Sequence, residues 1–221
     1  MLYIHLPFCK KRCSYCNFTT CKINKNSSIV ALYIDNLCKK IKQYKKQNVL
    51  SSIKTIYIGG GTPSYIENSY LKKLLSTIEQ SVCISNIEEF SIEGNPDSID
   101  RKFLSLCKNY GVNRLSIGVQ SLDDSVLAIL GRVHTSSIAL NSISLAFEYF
   151  KNGGNCAGAL HYAGFFQFKN QNICRQSLDF MHLPLCALCF GGVLRYATQM
   201  GKNAHHHCHP KSHGANARGG A

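Results

Sequence analysis

Tyr3-Ile4-His5-Leu6-Pro7-Phe8-Cys9, followed after Lys10-Lys11-Arg12 by Cys13-Ser14-Tyr15-Cys16-Asn17-Phe18, is the stretch on which the reading turns. Leu2-Tyr3-Ile4-His5-Leu6 is a short β-type run, and Cys9, Cys13 and Cys16 follow it at C-x3-C-x2-C spacing. Three thiolates on so short a loop can converge on three irons of a cubane, because soft sulfur suits iron–sulfur ligation and leaves the fourth iron open to a small molecule. The same spacing also serves a structural zinc ion with Cys21 as fourth ligand, or three unrelated buried thiols. Spacing alone leaves these alternatives open.

Downstream the chain repeats strand, loop, helix. Val30, Tyr33, Ile34, Leu37, Ile41 and Tyr44 fall at helical spacing. Thr55–Ile58 reads as a second strand running into Gly59-Gly60-Gly61, and Leu71, Leu74, Leu75 and Ile78 mark a second helix. Glu89–Ile92 is a third strand, and its helix, around Phe103–Tyr110, ends at Gly111 in the left-handed conformation. Leu115–Val119 is a fourth strand. Ser121 with Asp124 reads as a capping box for a helix that Gly131 closes, and a longer helix covers Ser136–Phe150. Strands alternating with helices imply parallel pairing through crossovers. The chemically interesting residues cluster where strands end, which is where parallel α/β folds bind ligands.

Taken singly, the motifs at those strand ends are weak. Gly59-Gly60-Gly61-Thr62-Pro63 lets backbone approach a ligand closely, but it also suits an ordinary tight turn. Glu93, in Ile92-Glu93-Gly94-Asn95-Pro96, and Gln120, in Gly118-Val119-Gln120-Ser121, can accept from an amino group and from ribose hydroxyls. Arg132, in Gly131-Arg132-Val133-His134, has the fork to pair with a carboxylate. Each is otherwise a surface ion or a satisfied turn residue.

In order, these motifs resemble the oxygen-independent coproporphyrinogen oxidase family of radical S-adenosylmethionine (SAM) proteins. The resemblance covers residues 1 to about 150. It implies an α/β fold, a partial (β/α)6 barrel truncated after about four βα units, with a [4Fe–4S] cluster on Cys9, Cys13 and Cys16. It further implies SAM contacts at Tyr3, Tyr15, Gly60, Gly61, Thr62, Glu93, Gln120 and Arg132, and a one-electron reductant that cleaves SAM to a hydrogen-abstracting radical. No catalytic residue is assigned, and His5 and His134 are read as structural. True oxidases of the family carry a further cysteine two residues after the third; Phe18 stands there, as in the HemW-type heme chaperone branch. That branch implies heme as ligand and a heme acceptor as partner. The alternatives are the oxidase, acting on coproporphyrinogen III, and an inactive truncated product.

Composition bounds the rest. At 221 residues, 45% hydrophobic and 17% charged, the chain can bury a substantial core. No apolar run reaches a membrane span, and the start lacks the pattern of a signal peptide, so a cytoplasmic protein with reduced thiols is expected. Many of the lysines behind the net charge of +13 lie at Lys39, Lys40, Lys42, Lys45 and Lys46, a solvated helix face, or in polar turns, without the interleaved aromatics of a nucleic-acid binder.

Character changes near Phe150. From Lys151 onward one acidic residue, Asp179, stands against seven Lys and Arg, and seven of nine histidines fall there. A fifth strand is due, but Lys151–Gly158 does not read as one, and the family's strand with an Asp and a G-x-P turn is missing. Residues 151–221 are therefore expected to be an irregular, partly disordered tail, frame-shifted or fused, leaving an open and marginally stable barrel. Cys186, Cys189, His205 and His209 match zinc-finger spacing, which coincidence explains better in so histidine-rich a segment.

Overall fold

In the computed structural model, the described residues are 1–150 and the strand pair 159–160; all fall in the compact unit Met1–His182. The tail readings, including Cys186, Cys189, His205 and His209, lie outside the described residues.

In chain order the elements are β1 (Leu2–Leu6), β2 (Phe8–Cys9), β3 (Cys21–Lys22), α1 (Ser28–Lys46), β4 (Thr55–Gly60), α2 (Asn68–Glu79), β5 (Glu89–Gly94), α3 (Arg101–Asn109), β6 (Arg114–Ile117), α4 (Asp124–Ile129), α5 (Ser136–Phe150) and β7 (Ala159–Leu160). The main sheet has the order β1-β4-β5-β6-β7 and every pairing is parallel. Chain order therefore equals sheet order, with α1, α2 and α3 as successive crossovers and α4 with α5 as the fourth. Four βα units are present as expected. The sheet then runs past Phe150: β7 registers Ala159 against Ser116 and Leu160 against Ile117. Two residues are too few to show a period of two, which is why this strand has no signature in the sequence.

The registers align side chains in rows across the sheet. One face carries Ile4, Leu6, Ile56, Ile58, Phe90, Ile92, Leu115 and Ile117, all buried. Helix residues Ile34, Leu71, Leu75, Phe103 and Leu104 are buried as well, and together they form the core. The other face carries Tyr3, Tyr57, Ser91, Glu93, Arg114 and Ser116. Glu89 accepts from both Arg114 Nη1 and Ser91 Oγ, at 2.8 and 2.7 Å, so the polar groups on this face are cross-linked. A sheet with one apolar and one hydrogen-bonded polar face has its core on one side and room for a polar ligand on the other.

Helix ends set the loops. Gly111 (φ +82°) ends α3 as expected. The capping box does not form as expected. Asp123, two residues on from Ser121, caps α4 by accepting from Ser125 N and Val126 N, while buried Ser121 accepts from Asp123 N. A carboxylate is the stronger acceptor at a helix N-terminus, where the backbone carries partial positive charge. Leu140, Phe147 and Ile138 of α5 are exposed.

Candidate functional site

The cysteine loop is pinched at its neck. β2 and β3 pair Phe8 with Cys21 and Cys9 with Lys22, and Cys21 N donates to Pro7 O while Ile23 N donates to Cys9 O. Within the loop Cys16 N donates to Cys13 O, and Ser14 N and Oγ reach the last carbonyls of α4, Leu130 O and Ile129 O. His5 fastens the far side. Its Nε2 lies 2.9 Å from Thr19 O, a pure acceptor, so Nε2 carries the proton and Nδ1 accepts from Tyr3 Oη at 2.9 Å.

Cys9 is buried, and burial pushes its thiol up, against the pull of the Thr62 hydroxyl at 3.5 Å. Cys13 and Cys16 are half-exposed. Among the described residues no three His, Cys, Asp or Glu side chains are close enough to hold one metal ion.

Strand β4 delivers the glycine turn. Gly60 has φ +112°, and a Cβ on it would overlap the His5 ring; only glycine fits. Gly61 N donates to Leu6 O and Thr62 N to Phe8 O, both at 2.8 Å, so the turn is zipped to the start of the cysteine loop. Glu93, on β5, accepts from Gly60 N at 2.9 Å and from Tyr57 Oη at 2.6 Å. Burial and then the Glu93 charge hold the Tyr57 phenol well above its ordinary range.

Arg132 is the hub. α4 ends at Gly131 (φ +70°), with Gly131 N bonded to Ala128 O and Arg132 N to Leu127 O, and this turn points the guanidinium back over the sheet. Nη2 reaches Gly118 O at 2.6 Å, Asn95 Oδ1 at 3.0 Å and His134 Nδ1 at 3.5 Å; Nη1 reaches Cys13 Sγ and Tyr15 Oη, each at 3.4 Å. Burial pushes the Tyr15 phenol up to about 12, with Arg132 opposing. His134 is buried, its Nε2 donating to Val119 O at 3.0 Å; burial and then Arg132 hold its imidazole below the usual value. Gln120 has φ +67° in a three-residue turn closed by Ser121 N to Val119 O. Positive φ at a non-glycine residue is strained, and such strain clusters at functional sites.

The sequence-predicted residues thus fall in two linked groups. Cys9, Cys13, Tyr15, Thr62 and Arg132 meet at the mouth of the loop, and Tyr3, Gly60 and Glu93 meet over β1, β4 and β5. Gln120 lies beside the first group at Gly118, and Cys16, close enough to Cys9 to push its thiol further up, is fixed by the loop backbone and by Arg12 Nη2, which donates to its carbonyl. Asn95, Tyr57 and Thr19 are part of the constellation and carry no singular signal in the sequence; Asn95 stands within the Glu93 motif as the residue before a proline.

A small cleft, open to solvent, is lined by Lys10, Cys13, Thr62, Asn95, Asp97 and Arg132 among others. Two atoms of its lining residues, Asp97 Oδ1 and Arg132 Nε, are buried without a hydrogen-bond partner. Orphaned buried groups beside thiols and a guanidinium suit a charged, ligand-holding site. The donor set fits an iron–sulfur cluster with SAM: three thiols on one loop, a cation and a hydroxyl directed at two of the sulfurs, and a polar cleft alongside.

This architecture is that of a radical SAM protein, and the chain belongs to the Radical SAM superfamily, whose pattern matches residues 3–163. It is 36% identical over 151 residues to the heme chaperone HemW of Buchnera aphidicola (subsp. Schizaphis graminum), covering 68% of this chain and 40% of that protein. It is 38% identical over 147 residues to HemW of Bacillus subtilis, covering 66% and 38%. The coproporphyrinogen III oxidase (HemN) of Escherichia coli, a radical SAM enzyme, shares the fold with a TM-score of 0.58 and 26% identity over 66% of this chain and 34% of that one. The chain's matched region spans about two fifths of the length of these chaperones. No helix among the described residues is long and apolar enough to cross a membrane.

Proposed function

We propose that residues 1–150 with β7 form the cluster- and SAM-binding part of a heme chaperone. Cys9, Cys13 and Cys16 hold a [4Fe–4S] cluster. SAM lies against Gly60, Gly61 and Thr62, with Glu93, Gln120 and Arg132 as polar contacts and Tyr3 and Tyr15 at its sides. Bound together, cluster and SAM supply one-electron chemistry, fed by a reductant. The residues of the chain orient them: Arg132 sets positive charge beside Cys13, and Thr62 donates to Cys9. The protein acts in the cytoplasm, takes heme as ligand and passes it to an acceptor.

The observation that carries this reading over the oxidase is Phe18. It occupies the position of the oxidases' extra cysteine and is 62% exposed beside the loop, an apolar surface in place of a fourth thiol. Titration of the 221-residue chain with hemin, followed by the Soret band, should show saturable one-to-one binding. SAM-dependent conversion of coproporphyrinogen III, without hemin binding, would reverse the assignment in favour of the oxidase.

A further inference from the structure

Asn95 sits between Cys9 and Cys13. Its Nδ2 lies 3.1 Å from Thr62 Oγ1, and Thr62 Oγ1 lies 3.5 Å from Cys9 Sγ. On its other side Oδ1 lies 3.0 Å from Arg132 Nη2, and Arg132 Nη1 lies 3.4 Å from Cys13 Sγ. A chain of side-chain hydrogen bonds therefore joins Cys9 to Cys13 through Thr62, Asn95 and Arg132.

The direction of every bond in this chain follows from one fact. Arginine has only donors, so it forces the Asn95 carbonyl to face it. The Asn95 amide must then face Thr62 and donate to its oxygen. With that lone pair engaged, the Thr62 hydroxyl proton turns to the remaining neighbour, the Cys9 sulfur. The backbone that carries this side chain is held firmly. Asn95 N donates to Ser64 Oγ at 3.0 Å, and Asn95 O accepts from Ser98 N and Ile99 N at 3.0 and 3.2 Å. Gly118 leaves the room the side chain needs, since a Cβ there would stand 2.7 Å from Asn95 Oδ1.

We propose that Asn95 is a positioning residue that sets the polarity of this relay, so that Thr62 donates to Cys9 and raises the reduction potential of the cluster that Cys9 helps to hold. The proposal rests on the reading of Cys9, Cys13 and Cys16 as cluster ligands. Hydrogen bonds to ligand sulfur stabilise the more negative, reduced cluster and so raise its potential. Aspartate at position 95 keeps the shape and the bond from Arg132, but its second oxygen accepts where the amide donated. The Thr62 proton then turns to the carboxylate, and Cys9 loses the bond from Thr62, keeping that from Thr20.

The test is a potential measured on the reconstituted full chain in four forms: wild type, Thr62→Val, Asn95→Asp and the double variant. Thr62→Val should lower the midpoint potential in the wild-type background and leave it unchanged in the Asn95→Asp background, where the bond is already gone. Thr62→Ser should restore the wild-type value. An equal lowering by Thr62→Val in both backgrounds would overturn the relay while leaving the cluster reading intact. If the wild-type chain takes up no iron and sulfide, the cluster reading falls and the relay with it. Should Asn95→Asp fail to fold, Asn95→Ala replaces it. Without the amide that fixes its rotor, Thr62 then contributes less to the potential than in the wild type, and an undiminished contribution would overturn the proposal.

Discussion

Replacing Gly60 by alanine tests how the glycine turn and the histidine beneath it are built together. The backbone at Gly60 has φ +112°, where an L side chain is strained by about 1–3 kcal/mol. The new Cβ also overlaps the His5 ring. That ring cannot swing aside freely, because both nitrogens are hydrogen-bonded, one to Tyr3 and one to Thr19, at about 1 kcal/mol each. Strain and two lost bonds together cost about 3–5 kcal/mol, a large part of the 5–15 kcal/mol typical of a domain. At a urea slope of about 2 kcal/mol per M, unfolding of the metal-free protein should show the midpoint fall by about 1.5–2.5 M with the slope unchanged. In a His5→Ala background the overlap is absent, and Gly60→Ala should cost only the backbone strain of about 1–3 kcal/mol. A cost below about 1 kcal/mol, or the same cost with and without His5, would refute the packing described here.

Two further outcomes follow from the local chemistry. Asp123→Ala removes the cap of α4 and should lower stability by about 1 kcal/mol, with Asp123→Asn largely preserved; a larger loss for Asn than for Ala in thermal melts would contradict the cap. Burial and Arg132 hold the folded His134 below the ordinary value of 6.5, so below that pH the unfolded chain takes up a proton that the folded one refuses. Stability from this site is therefore present above pH 6.5 and lost as pH falls. His134→Gln should flatten the slope of stability between pH 7 and 5, and an unchanged slope would show that His134 is not held neutral.

The barrel strands and their helices were legible because each carries its own period and its own stop. Thr55–Ile58 ends in glycines, and Gly111 and Gly131 adopt the left-handed backbone that ends helices. What was not legible depends on distance in the fold. Asp123 caps α4 in place of Ser121 because the helix starts at Asp124, two residues later than the capping-box spacing places it, and the Ser121 hydroxyl accepts from Asp123 N instead. Strand β7 exists through its pairing with Ser116 and Ile117, not through its own two residues. In the sequence Glu93 stands as a free acceptor, yet both its oxygens are engaged by Tyr57 and Gly60, partners 36 and 33 residues away. Asn95 could be found only once Thr62 and Arg132 were seen on either side of it.

Counting iron and acid-labile sulfide after anaerobic reconstitution tests the cysteine loop most directly. The wild-type chain should bind about four irons and four sulfides, the content of one cubane with an open site. Cys9→Ala, Cys13→Ala and Cys16→Ala should each abolish that uptake, and Cys21→Ala should leave it nearly intact. One zinc ion in place of iron, lost equally in Cys21→Ala, would contradict the assignment of Cys9, Cys13 and Cys16 as ligands of an iron–sulfur cluster.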